Sequence, residues 1–190
     1  MKLLENLLDY KEPLDLINIT GREYRTKSDY HPNVIFTLAF GENEKSSYNE
    51  NLALATINAK TYFDNPLTIV QSNVFNFLQD YTSDYISIGQ NNLSTRLILS
   101  KISTSDCFNL LDNILDENNL NKDKILYIAH PAHIYRVMEI GKKRSFFGFP
   151  FIEKEVVWPK DDEQLWIRKA YFWVPREFLC RIHHKVKGIL

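Results

Sequence analysis

Two histidines and an arginine stand where an apolar run gives way to an amphipathic one. His130 and His133 follow the apolar run 125–129, and Arg136 comes three residues after His133. Residues three apart share one face of a helix, so His133 and Arg136 would lie side by side there. An imidazole donates a hydrogen bond or transfers a proton, and a guanidinium binds a phosphate or carboxylate at two points. The stretch predicts a site for an anion; a solvated helix face, or a strand end with His130 in a backbone hydrogen bond, are the alternatives.

A metal site has less support from the same residues. His130 and His133 supply two ligands, and no third ligand follows at a typical spacing. The two cysteines, Cys107 and Cys180, are too few for a disulfide framework and are not spaced as metal ligands. We therefore predict no metal site and two reduced, buried thiols.

The elements that position these residues are strands and helices in alternation. Short apolar runs of strand length occupy residues 33–40, 67–72, 96–103, 124–129 and 149–158. The segments between them show helical periodicity, as in 48–63, with Leu52, Ala55 and Ala59 on one face. Strands that are apolar on both faces and alternate with helices are typical of a parallel sheet covered on both sides. The predicted fold is α/β: a doubly wound, mainly parallel, Rossmann-like sheet of about five strands.

The two ends of the chain carry different patterns. Residues 1–32 are predicted to be a helical extension and loop, and residues 33–190 the Rossmann-like domain. In the segment 73–92 we predict a helix at 74–81 and an extra extended piece at 85–88. The C-terminal segment is a long helical pattern that Pro175 is expected to kink or divide. Its aromatic residues either form core or dock a partner protein; these are Trp166, Tyr171, Phe172 and Trp173.

Charge and hydropathy narrow the function classes. The formal net charge is −1, with 23 basic and 24 acidic residues, which gives no overall attraction to nucleic acid. No window approaches the roughly 20 apolar residues of a membrane-spanning helix. Glu5 and Asp9 interrupt the N-terminal leucines, so no signal peptide is predicted. These features favour a soluble, cytoplasmic protein that does not bind nucleic acid and has no integral membrane segment.

In an open parallel sheet, ligands bind beyond the carboxyl ends of the strands, where helix N-termini favour negative charge. His133 and Arg136 are the predicted catalytic residues at this edge. Polar or flexible residues after each predicted strand complete the set as ligand-binding residues: Gly41, Asn43, Ser72, Asn73, Ser103, Ser105, Asn109 and His130. The alternative for Ser103 and Ser105 is that they only cap a helix. Walker A, G-x-G-x-x-G and G-x-S-x-G motifs are missing, so standard P-loop, dinucleotide and hydrolase sites are not predicted.

The order of these pieces resembles the YdcF/SanA/ElyC-type family of bacterial proteins, whose domain is labelled as of unknown function. The resemblance spans residue 33 to the C-terminus and rests on three segments: IAHPAHIYRVM with His133 and Arg136, LILSKISTSDCFN with Ser103 and Asn109, and the closing helix with Arg176 and Glu177. Ser100 and Phe108 stand where the family carries acidic residues, and the family's glycine-rich turns are reduced. The chain is therefore similar to a diverged member, with altered or absent catalysis.

The resemblance implies a link to cell-envelope precursor metabolism, and S-adenosylmethionine as a possible ligand. The leading expectation is a domain that binds an anionic or nucleotide-like small molecule, such as S-adenosylmethionine or an envelope precursor. One alternative is an enzyme acting on a phosphate or lipid-linked precursor, for which Glu42, Glu44 and Asp106 are the nearest carboxylates. The other is a catalytically silent module that binds a protein.

Overall fold

Five parallel strands form the sheet at the centre of the molecule. The computed structural model describes residues 31–41, 46–78, 85–88, 103–151, 160, 164–186 and 188. The strands are β1 (Val34–Thr37), β2 (Leu67–Gln71), β3 (Tyr85–Ile88), β4 (Asp123–Ile128) and β5 (Phe147–Phe151). Their order is β3-β2-β1-β4-β5, and every neighbouring pair is parallel. The predicted α/β, Rossmann-like fold class is confirmed.

Helices cover both faces of this sheet. They are α1 (Ser47–Tyr62), α2 (Ser72–Phe75), α3 (Thr104–Glu117), α4 (Pro131–Lys143) and α5 (Ala170–Val186), with a 3-10 turn at Leu165–Ile167. Alternate residues of each strand point to opposite layers. Phe36 and Tyr127 pack with α3 and α4, whereas Ile35 and Leu126 pack with α1 and with Trp173 of α5. The strands are apolar on both faces because each layer buries half of every strand.

Two strand predictions differ from the strands that the structure describes. We predicted the third strand at 96–103, but the described third strand is β3, the segment predicted only as an extra extended piece. Ser103 lies outside any described strand and is the N-cap of α3, and residues 96–102 lie outside the described residues. The fifth strand starts at Phe147 rather than 149; residues 152–158 lie outside the described residues.

The helix predictions differ from the structure in length and continuity. Where the structure describes it, the helix predicted at 74–81 is the single turn α2, which starts at Ser72 and ends at Phe75; residues 79–81 lie outside the described residues. Pro175 does not divide the C-terminal helix, because α5 continues through it. A proline early in a helix removes one backbone hydrogen bond, a cost that packing of Trp173 and Glu177 against the body offsets. Among the described helices, none is long and apolar enough to cross a membrane.

The strand order changes direction between β1 and β4. From β1 the chain moves outward to β2 and β3, and then returns to β4 and β5 on the other side. In doubly wound sheets the crevice at such a switch point is the usual ligand site. Leu38 to Gly41 and Ala129 to His130 follow the two central strands, so these residues border the crevice.

Candidate functional site

Aromatic rings fill the centre of the crevice. The His130 ring stacks on Phe40 with 3.7 Å between ring centres, and Tyr48 lies 4.5 Å from the same imidazole. Trp173 of α5 also packs against Phe40, with 4.9 Å between ring centres. All four residues are buried. The crevice centre is therefore a packed aromatic cluster, and a group of polar side chains lies beside it.

His130 fixes the start of α4. Its Nδ1 accepts a hydrogen bond from the backbone N–H of Ala132 at 3.1 Å, and its carbonyl accepts from His133 and Ile134. The first N–H groups of α4 are thereby satisfied within the helix. We predicted that an anion could use this N-terminus, but the donors are already occupied. The geometry matches the alternative in which the His130 ring ends the strand in a backbone hydrogen bond.

Four side chains from three helices form a connected polar row beside the aromatic cluster. His133 Nε2 lies 3.3 Å from Thr104 Oγ1, and His133 Nδ1 lies 3.0 Å from a terminal nitrogen of Arg136. The other terminal nitrogen of Arg136 forms an ion pair with Glu177 at 3.0 Å. We call Thr104, His133, Arg136 and Glu177 the polar row. His133, Arg136 and Glu177 are buried, so these contacts are shielded from water.

The group next to Nδ1 determines which ring nitrogen of His133 carries the proton. A guanidinium has only donors, so Nδ1 of His133 must accept, and the imidazole proton sits on Nε2. Nε2–H then donates to Thr104 or to a ligand oxygen. In this tautomer His133 is a hydrogen-bond donor rather than a general base toward Thr104. Of the two roles that the sequence allowed for His133, the geometry favours donation.

Three side chains contact the guanidinium of Arg136. Besides His133 and Glu177, it lies over the Trp173 ring, with 5.8 Å from the guanidinium carbon to the ring centre. Its Nε is buried and has no hydrogen-bond partner among the described residues. A buried donor without a partner costs about 1–3 kcal/mol. The polar row therefore contains one buried donor, the Arg136 Nε–H, for which no described residue is an acceptor.

The serines and the asparagine of α3 do not join this row. Ser103 Oγ accepts from the backbone N–H of Asp106, and the Asp106 carboxylate accepts from the Ser103 N–H at 3.0 Å, a capping box. Ser105 Oγ accepts from Arg144 at 2.6 Å, and Asn109 accepts from the same guanidinium. Since Arg144 follows the C-terminus of α4, these contacts tie α3 to α4. The capping alternative describes Ser103, and Ser105 has a partner already.

The residues after β1 and β2 form a small group of their own. Gly41 has a φ of 88°, a left-handed conformation that suits glycine, and its carbonyl accepts from Asn73 Nδ2 at 3.4 Å. Ser72 Oγ lies 3.4 Å from Asn73 Oδ1. Gln71 accepts from the N–H of Ala39 at 2.9 Å and links the same two strand ends. Asn43 lies outside the described residues.

Sequence reasoning missed two members of the site, Glu177 and Trp173. Glu177 was singled out only for the family resemblance, and Trp173 only as core or docking surface. A signal was present: Glu177 is the sole acidic residue between Gln164 and Gly188, in a segment with six Lys and Arg. A lone glutamate on a basic amphipathic helix needs a cationic partner when it is buried. The sequence could not name that partner, because Arg136 lies on another helix.

Of the three carboxylates singled out from the sequence, only Asp106 lies among the described residues. Asp106 serves the capping box, and Glu42 and Glu44 lie outside the described residues. Within the described ranges no cluster of three or more His, Cys, Asp or Glu side chains is placed to hold a metal. Comparison of the sequence with protein-family models and with curated proteins, and of the fold with solved structures, returned no match.

Proposed function

We propose that this domain binds a small anionic or nucleotide-like molecule at the carboxyl edge of its sheet, with Arg136 and His133 as the recognising groups. The observation that carries the proposal is the buried guanidinium of Arg136, whose Nε–H has no partner among the described residues. Buried donors in native proteins are almost always satisfied, and a ligand is one way to satisfy them. An anionic oxygen at Nε would form a charge-assisted hydrogen bond there.

Each member of the polar row has a role in this proposal. Arg136 holds the negative group, while His133 Nε2–H and the Thr104 hydroxyl donate to a neighbouring oxygen. Glu177 holds the guanidinium in place and neutralises it in the absence of ligand. The site would then select a ligand by the positions of its hydrogen-bond acceptors more than by its net charge. Carboxylate- or phosphate-bearing ligands fit, including S-adenosylmethionine or an envelope precursor, as the resemblance implies.

The family resemblance is part of the same proposal. Two of the three matching segments, the one with His133 and Arg136 and the closing helix with Glu177, meet in the structure at 3.0 Å. Matching residues that are distant in sequence and in contact in space support a shared site. We propose that the chain is a diverged YdcF-type domain, and its cytoplasmic location stays a prediction.

A thermal-shift panel tests the proposal. It contains S-adenosylmethionine, nucleotides, nucleotide-sugars and polyprenyl-phosphate analogues, run on wild type, on Arg136→Met/Glu177→Met and on Ser105→Ala. A ligand at 100 times its dissociation constant stabilises the folded state by about 2.7 kcal/mol. We expect a shift in wild type and in Ser105→Ala that is lost in the double variant, which removes both charges together. An equal shift in the double variant, or no shift with any compound, would contradict the proposal.

Catalysis on a phosphate-containing precursor is a second candidate, and one observation favours it. Glu177 places in the polar row the carboxylate that sequence reasoning could not locate. Turnover of the ligand found above, measured in wild type and in Glu177→Gln, separates the candidates. Loss of turnover in Glu177→Gln with binding retained would favour an enzyme. Ligand binding without any product in the wild-type protein would favour a protein that only binds.

A further inference from the structure

Helix α5 exposes a strip of large apolar side chains on the side opposite the polar row. Phe172, Leu179 and Val186 follow one another at seven-residue spacing and are 48, 64 and 83% exposed. Seven residues are nearly two helical turns, so the three lie along one line about 21 Å long. Val174 and Phe178 widen it and are 52 and 36% exposed. We call these five residues the apolar strip.

The strip is flanked by positive charge. The segment from Gln164 to Gly188 holds six of the chain's 23 Lys and Arg residues but one of its 24 acidic residues. That acidic residue, Glu177, is buried and paired with Arg136, so it contributes no exposed negative charge. Lys169, just before the helix, and Lys185, on it, are both exposed. The rest of the chain is acidic on balance, which makes this end electrostatically distinct.

We propose that α5 is a membrane-surface contact, which lies in the interface of an anionic lipid bilayer with the apolar strip inserted among the lipids. A helix with an apolar face bordered by lysine and arginine is the pattern that binds anionic bilayers, with its apolar side chains about 5–10 Å below the headgroups. The cations attract the negative surface, and the strip supplies the apolar area. This proposal does not depend on the ligand of the polar row.

Two other occupants fit the observations less well. A nucleic acid would use the cations but would leave Leu179, Val186 and Val174 in contact with phosphates, where they gain nothing. A second copy of the chain would bury the strip but would bring two segments of the same positive charge together. A bilayer with anionic lipids satisfies both the apolar and the charged features.

The inner face of α5 keeps the helix in place for this contact. Trp173 and Glu177 are buried against the body and hold α5 there. Because a helix is about 10 Å across, binding would place the polar row about one helix diameter from the bilayer surface.

Sedimentation of the full-length protein with lipid vesicles tests the proposal. Vesicles of phosphatidylcholine alone are compared with vesicles of equal parts phosphatidylcholine and phosphatidylglycerol, at low and high salt. The variants are Leu179→Asp, within the strip, and Leu54→Asp as a matched control, since Leu54 is 45% exposed on α1. We expect binding to anionic vesicles that weakens with salt, falls about tenfold in Leu179→Asp and is unchanged in Leu54→Asp.

Three outcomes would overturn the proposal. The first is no binding to either kind of vesicle, and the second is equal loss of binding in both variants. The third is a wild-type dimer by light scattering that Leu179→Asp converts to a monomer, without vesicle binding, which would assign the strip to a second copy of the chain.

Discussion

The buried ion pair between Arg136 and Glu177 makes each residue depend on the other. Both side chains are buried, and a buried charge without a compensating partner is costly. The pair also sets the hydrogen bonding of His133, because Arg136 donates to its Nδ1. A change at either residue is therefore expected to alter both the stability of the fold and the ring nitrogen on which His133 carries its proton.

A double-mutant cycle measures this dependence. Arg136→Met or Glu177→Met alone is expected to lower the free energy of unfolding by about 3–5 kcal/mol, because each leaves a buried charge without its partner. The double variant is expected to lose less than either single variant, since both charges are gone. Urea denaturation of the four proteins gives the values. Additive losses would mean that the two side chains do not interact.

Cys107 offers a second prediction for a single residue. Burial raises the pKa of the Cys107 thiol to about 12, from an ordinary value near 9, with a smaller contribution from Asp106. At pH 8 this thiol stays protonated and unreactive in the folded protein, while the half-buried Cys180 reacts. With a thiol reagent we expect one fast thiol per folded chain and two after unfolding. Two equally fast thiols in the folded protein would contradict this account.

The same raised pKa has a consequence for stability. The folded state holds the Cys107 proton more tightly than the unfolded chain, so the contribution is complete below about pH 9 and is lost as pH rises from there toward 12. We expect the Cys107→Ala variant to lose less stability than wild type between pH 9 and pH 11, as measured by urea denaturation. Parallel losses in the two proteins would argue against a buried thiol.

At the scale of elements, Ser103 separates capping from ligand binding. Because its hydroxyl belongs to the capping box of α3, Ser103→Ala should cost about 1 kcal/mol of stability and leave ligand affinity unchanged. Thr104→Val, one residue later, removes the hydroxyl beside His133 and should lower the affinity for the ligand. Calorimetric titration of both variants distinguishes them. Loss of ligand affinity in Ser103→Ala would mean that Ser103 contacts the ligand.

The pairing of β4 with β5 needs a glycine at position 148. A Cβ there would overlap the backbone carbonyl of Ile125, which lies beside the irregular register near Lys124 and cannot move without breaking the strand pair. Gly148→Ala is therefore expected to destabilise the fold by about 3 kcal/mol or more. The control is Gly188→Ala, where a Cβ would meet nothing within 4 Å and only the left-handed φ of 67° costs about 1 kcal/mol. Equal melting temperatures for the two variants would contradict this packing.

For the whole molecule, the sequence could predict the layers but only part of the site. Doubly apolar strands such as Val34–Thr37 and Asp123–Ile128 could be assigned from local pattern, and with them the edge that holds His133 and Arg136. The strand predicted at 96–103 falls almost wholly outside the described residues, and its last residue, Ser103, caps α3. Glu177 could not be placed, since a contact between α4 and α5 depends on how helices pack across the sheet, which periodicity does not encode.

The central claim is that the Arg136 Nε–H binds an anionic group, and its NMR signal tests this directly. The ¹H–¹⁵N signal is assigned by its loss in Arg136→Met/Glu177→Met. Inorganic phosphate, S-adenosylmethionine and uridine diphosphate sugars are then titrated into the wild-type protein. We predict that at least one of them shifts this signal saturably, with Ser105→Ala behaving as wild type. A signal that none of them moves, in a protein that stays folded throughout, would contradict the account.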